Sequence, residues 1–288
     1  MSERPARALL VRRGGLGDTL LLTAVLRAWR RVLPVGCELA CAGMLDFVSL
    51  LQWSGVVDAC RSSEDLVAWS RDACQARLAA FTHVFTDDPA LVAAAPATTL
   101  VRAFDPRPQG ASPLPLQIAA QLELTLRWPD DHALSAPVVA TAWADVVVLA
   151  PGSGGRTKCW PVVHWLQSAA CLRARGVMVV VLVGPVERER DDPSRWPWPA
   201  GVAVAAPRDT IELARGLAGA RAFVGNDSGP THLAAMLGRP TVALFGPSDA
   251  AVFAPIGPRV QVLRAPGQRL EALLPERVVA ALAELGVG

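Results

Sequence analysis

Apolar residues along this chain fall into two rhythms. Short, nearly unbroken runs at Ala8–Arg12, Glu38–Cys41, Val56–Ala59, His83–Thr86 and Thr98–Ala103 read as strands buried on both faces. Between them lie stretches with helical spacing. One follows the Gly14-Gly15-Leu16-Gly17-Asp18 turn to about Leu33 and is stopped by Pro34; another covers Glu64–Phe81. Asp105–Pro115 is a Pro-rich loop, and Pro115–Arg127 predicts a further helix. The second half repeats the scheme, with strands at Asp145–Ala150, Val177–Val183, Ala222–Gly225 and Thr241–Phe245. Helices are expected at Pro161–Arg175, Asp209–Ala218, Pro230–Leu237 and Pro275–Leu285, and Asp191–Ala200 reads as a loop.

Strands that alternate with helices predict an α/β protein with parallel sheets covered on both faces. The breaker-rich stretch Trp128–Pro137 suggests two domains, 1–142 and 143–288, each Rossmann-like and facing an interdomain cleft. The last helix belongs to the second domain, with a return onto the first left open. In such sheets ligands bind at the carboxyl ends of the strands, where the glycine-rich turns of this chain fall.

Composition narrows the function classes. Hydrophobic residues make up 52% of the chain and the net charge is +2, which supplies buried sheets and argues against nucleic acid as the main partner. The first apolar run is interrupted by Arg12, Arg13 and Asp18, unlike a signal peptide, and no run is long enough to cross a bilayer. Six cysteines form no CxxC pair, and Cys37 and Cys41 stand two pleats apart on one strand, so reduced thiols in a cytoplasmic protein are expected. Of the 28 basic Lys and Arg residues only Lys158 is lysine, and Asn226 is the one asparagine. Both fall in turns that matter below.

Three turns carry candidate chemistry. Pro151–Pro161 joins a buried strand to a helix, and its three glycines let the backbone approach a ligand closely, with Lys158 beside them. It lacks the Gly-Lys-[Ser/Thr] ending of a Walker A loop. A diphosphate suits this turn; an ordinary surface loop with a solvated lysine is the alternative. Asn226–His232 contains Ser228 or Gly229 as helix cap and Pro230 in the first turn, leaving backbone N–H groups and a positive helix end free for an anion, with His232 as an added donor. The same residues are also good capping chemistry. In the third turn Leu20 stands where a dinucleotide fingerprint needs glycine, and Asp18 is either a helix cap or a general base. No Asp-x-Asp motif offers a metal between phosphates; Asp87-Asp88, Asp130-Asp131 and Asp191-Asp192 are adjacent pairs in loops.

Together Arg12–Asp18, Pro151–Pro161 and the run Phe223–Pro247 resemble the bacterial heptosyltransferases, glycosyltransferase family 9, which build the inner core of lipopolysaccharide. The resemblance implies the GT-B fold and a metal-independent, inverting transfer with no cofactor. The donor would be a nucleotide-diphosphate sugar, an ADP-linked heptose, and the acceptor a glycan or glycolipid. It assigns Asp18 as catalytic base and Lys158 to the leaving diphosphate. It implies a donor site of Ser153, Thr157, Lys158, Asn226, Asp227, Ser228, Gly229 and His232, with Glu187, or Glu189 if the alignment slips, on the ribose. A lipid-linked acceptor would bring this cytoplasmic protein to the inner-membrane surface as a peripheral visitor. A nucleotide-sugar epimerase of the same fold would need several acid–base groups around the sugar, and Asp18 alone is placed for that. A protein that binds nucleotide sugar without catalysis is the other alternative.

Overall fold

The apolar runs are explained by two parallel sheets in the computed structural model, which describes residues 6–66 and 71–287. These residues divide into two compact units, one ending at His132 and the other beginning at Ala133.

In chain order the first unit contains β1 (Arg7–Val11), α1 (Leu16–Leu21), α2 (Thr23–Val32), β2 (Glu38–Gly43), α3 (Leu45–Trp53) and β3 (Ala59–Ser62). It continues with α4 (Arg71–Leu78), β4 (His83–Thr86), α5 (Pro89–Ala94), β5 (Leu100–Ala103) and α6 (Leu114–Gln121). Its strands lie in the order β3-β2-β1-β4-β5, all parallel. Successive residues of a strand point to opposite faces. Leu9 and Val11 therefore pack with Leu78, Phe81 and Leu91 on one side, while Phe85 stacks on Trp29 of α2 at 3.8 Å.

Several boundaries differ from the sequence pattern, each for a local reason. The first helix is interrupted at Leu22, where the amide turns back to the Thr19 carbonyl. The strand expected at Val56–Ala59 begins only at Ala59. Gly55, at φ +73°, closes α3, and Val56 and Val57 fill the core from the turn rather than from the sheet. Pro115–Arg127 is helical only to Gln121, because Glu123 takes a positive φ of 56°. Of the helix expected over Glu64–Phe81, Arg71–Leu78 is present and residues 67–70 lie outside the described residues.

The second unit is built from β6 (Val146–Ala150), α7 (Val162–Ala174), β7 (Met178–Leu182), α8 (Pro185–Arg190), β8 (Val202–Ala205) and α9 (Thr210–Gly219). It ends with β9 (Ala222–Asn226), α10 (Gly229–Met236), β10 (Thr241–Phe245), α11 (Ala250–Phe253), β11 (Val260–Arg264) and α12 (Pro275–Glu284). The strand order β11-β10-β9-β6-β7-β8 is the doubly wound one, with its direction reversing between β6 and β9. Trp165, Ala169 and Leu172 of α7 and Val278, Ala281 and Leu282 of α12 cover one face of this sheet, packed on Val147, Leu149, Val224 and Leu244. The last helix thus belongs to the core of its own unit.

Residues 133–142 also join the second unit, not the first as the division at Ala142 had it. The Leu134 amide donates to the Met236 carbonyl at 2.8 Å and that of Ala140 to Arg215 at 2.9 Å. No helix among the described residues is long and apolar enough to cross a membrane.

Candidate functional site

In a doubly wound sheet the connections leaving the two central strands diverge to opposite faces and open a crevice. For the second unit those connections are the turn after β6 and the turn after β9. They are the Pro151–Pro161 and Asn226–His232 segments singled out above.

Asn226 locks the two turns together. Fully buried at the end of β9, it donates from Nδ2 to the Pro151 carbonyl at 2.7 Å and accepts the Trp160 amide on Oδ1 at 3.1 Å. One side chain thereby satisfies both ends of the glycine loop, which explains why a carboxamide, donor and acceptor at once, stands here. Ser153 adds a hydrogen bond from Oγ to the Asp227 carbonyl at 2.8 Å. Lys158 closes the ring, with Nζ 2.6 Å from Asp227 Oδ2. His232, buried in the first turn of α10, places Nε2 4.0 Å from the other Asp227 oxygen.

Ser228 caps α10 with extended backbone, and Pro230 follows in the first turn. Its hydroxyl pairs with Thr231 Oγ1 at 3.1 Å rather than with a helix amide. The Thr231 and His232 amides fold back to the Ser228 carbonyl. Among the described residues, the Ser228 and Gly229 amides have no protein acceptor. Two free N–H groups at a helix start, beside an ammonium group that is 39% exposed, are donors of the kind an anion accepts from.

On its other side the glycine loop faces α8, the helix after β7. A cavity of about 390 Å³ opens there, lined by Gly152, Ser153, Cys159, Glu187, Arg190 and Trp196 among others. Glu187 caps its own helix by accepting the Gly184 amide at 2.9 Å. Its carboxylate lies so close to Gly152 that a Cβ at that position would overlap it. Glu189 is exposed and does not line the cavity. Arg190 reaches back to the Gly154 carbonyl at 3.0 Å, tying α8 to the loop. Burial, reinforced by the Glu187 charge, pushes the Cys159 thiol above its ordinary value, so it serves the wall as a neutral, weakly polar group.

Thr157 does not join this arrangement: it sits exposed in the tight turn Arg156–Lys158. Asp18 belongs to the first unit, in the first turn of α1. There it accepts the Gly15 amide on Oδ2 at 2.9 Å and an Arg12 N–H on Oδ1 at 3.1 Å. Arg12 also pairs with Asp87, and Arg13 pairs with Asp88 at 3.1 Å. These arginines follow β1 and the aspartates follow β4, the two strands at which the first sheet reverses direction. The sequence showed Asp87-Asp88 only as a loop pair, because nothing local points to partners 75 residues upstream.

The family model of glycosyltransferase family 9 (heptosyltransferase) matches residues 115–274. Lipopolysaccharide heptosyltransferase 1 of Escherichia coli is 35% identical over 118 residues, 40% of this chain and 36% of that enzyme. The match thus spans little more than a third of that relative's length. A heptosyltransferase of E. coli solved with ADP superposes with a TM-score of 0.72 at 21% identity, covering 97% of this chain and 99% of the other. A family 9 glycosyltransferase from Veillonella parvula gives 0.77 at 19% identity, covering 99% and 98%. At such identities the likeness speaks for the fold, which is GT-B.

Proposed function

Since the chain belongs to glycosyltransferase family 9, the heptosyltransferases, we propose that it transfers heptose from ADP-heptose to a lipopolysaccharide-core or related glycan acceptor. The transfer inverts the anomeric carbon and uses no metal. The observation that carries this reading is the joining of two strand-tip turns through Asn226, Ser153 and Lys158 beside the free amides of α10.

The donor diphosphate sits against Lys158 and the Ser228 and Gly229 amides, with His232 at hand. Its nucleoside extends along the glycine loop into the cavity, where Glu187 accepts a ribose hydroxyl. This order follows the doubly wound rule, in which an acidic residue after the second strand of the fold takes the ribose; β7 is that strand here. The ADP held by the solved E. coli relative supports an adenine-linked donor.

In the reaction an acceptor hydroxyl attacks the anomeric carbon from the face opposite the diphosphate. Its proton passes to the Asp18 carboxylate as the new C–O bond forms. The bond from the anomeric carbon to the diphosphate oxygen breaks, and Lys158 with the helix amides stabilises the charge that gathers on ADP. Asp227 has two parts in this scheme. Its backbone anchors Ser153, and its carboxylate keeps the Lys158 ammonium beside the helix amides until the diphosphate takes over as counter-ion. A lipid-linked acceptor places the protein at the cytoplasmic face of the inner membrane as a peripheral visitor.

The test has two stages. Thermal shift with ADP-, UDP- and GDP-sugars reads which nucleotide stabilises the fold. ADP release is then followed with ADP-heptose and lipopolysaccharide lacking its inner-core heptoses. Stabilisation by ADP-heptose above the others, with turnover that Asp18→Asn cuts to a small residual rate while donor affinity persists, is the expected result. An equal response to all three nucleotides, or full turnover in Asp18→Asn, defeats the proposal.

A further inference from the structure

We propose that Arg12 and Asp87 are positioning residues for Asp18, and that Asp87 decides how tightly Arg12 grips it. The inference rests on the reading of Asp18 as proton acceptor given above.

Asp18 stands in the first turn of a helix with its side chain 41% exposed, where a carboxylate would normally be free to rotate. Here each oxygen has its own donor, Oδ2 the Gly15 amide and Oδ1 the Arg12 guanidinium. Gly14 lets the chain pass directly over the carboxylate: a Cβ there would come within 2.9 Å of Oδ2. The Gly-Gly pair before Asp18 thus serves close approach of backbone to a carboxylate, not a phosphate-binding fingerprint.

Arg12 is the first residue after β1, fixed by its amide to the Ala42 carbonyl at 3.0 Å, and its side chain is only 15% exposed. One guanidinium nitrogen, Nη1, is given to Asp87, and Nη2 goes to Asp18. The fork is therefore divided between two carboxylates rather than closed on one. Arginine favours planar, two-pronged pairing with a single carboxylate, and such a clamp stabilises the ionised form against accepting a proton. By taking one prong, Asp87 leaves Asp18 oriented but only singly bonded to the cation, the state a general base requires. Arg13 and Asp88 form a second rung beside the first and hold the two strand tips together.

Steady-state kinetics of the full chain with ADP-heptose and heptose-deficient lipopolysaccharide test this. Asp87→Asn and Arg12→Gln should each lower kcat on the order of ten- to a hundredfold, with KM for ADP-heptose within about twofold. Arg12→Lys should recover part of the loss. Placed on Asp18→Asn, Asp87→Asn should change neither the residual rate nor KM, because nothing is left to position. A further additive loss in that background, or Asp87→Asn and Arg12→Gln both within about twofold of the parent kcat, overturns the inference. Should Arg12→Gln melt far below the parent, Asp87→Asn alone and on Asp18→Asn decides the matter. Full turnover in Asp18→Asn itself is a separate result and removes the reading of Asp18 instead.

Discussion

Lys158 Nζ and Asp227 Oδ2 lie 2.6 Å apart although 69 residues separate them in the chain. The pair is half open to solvent on the lysine side, and such pairs contribute only about 0–1 kcal/mol to stability. Its value is therefore in placing the ammonium group, and a ligand with two or more negative charges can replace the aspartate without a large loss.

Replacing Lys158 by Ala should weaken ADP binding about 10- to 100-fold, the worth of one charge-assisted hydrogen bond, and lower turnover with it. Isothermal titration with ADP checks the first part. Unchanged affinity would remove Lys158 from the site.

Asn226→Ala leaves the Trp160 amide and the Pro151 carbonyl without their buried partner, at a cost of about 1–3 kcal/mol per unpaired group. The melting temperature should fall by several degrees, at about 2–4 °C per kcal/mol. Donor affinity should fall with it. A variant as stable as the parent would show that the two turns are held by something else.

Gly152→Ala brings a methyl group onto the Glu187 carboxylate. Donor affinity should drop, and Glu187→Ala should not rescue it if the carboxylate also serves the ribose. Full rescue in the double variant, measured by titration with ADP, would reduce Glu187 to a steric neighbour.

Acid stability reports on Asp131. Burial acts to raise its carboxyl, but a two-pronged bond from Arg31, at 2.7 Å on each oxygen, and the Arg127 amide outweigh it and hold the group below the usual carboxylate range. A lowered folded value means stability fully present above the unfolded value, about pH 4, and lost as pH falls through the folded one. The gap in melting temperature between the parent and Asp131→Asn should therefore be widest near neutral pH and shrink below about pH 4. A gap independent of pH would contradict this.

Much of the architecture was legible because central parallel strands are buried on both faces, so β1, β6, β9 and β10 appear as plain apolar runs. The two edge strands of the second sheet are not. Val202–Ala205 and Val260–Arg264 are largely half-exposed or exposed, and their pattern carries no clear period. Helix α8, Pro-Val-Glu-Arg-Glu-Arg, has no apolar stripe and forms through its Pro185 start and the Glu187 cap. The turns around Lys158 and Asn226 announced themselves by glycine and by rarity of residue type. Their mutual bonds, like that of Arg12 with Asp87, depend on strand order, which no local pattern encodes. Thr157, inside a good motif, nevertheless points to solvent.

The indole N–H of Trp160 donates to the Leu273 carbonyl at 2.8 Å, and its ring meets that of Trp165 edge-on at 5.1 Å. Leu273 lies just ahead of α12, so the tail of the chain buttresses the glycine loop from behind. Cutting the chain before Pro275 would uncover the sheet face that Val278, Ala281 and Leu282 occupy, so the truncated protein should lose thermal stability and, with it, the setting of the glycine loop.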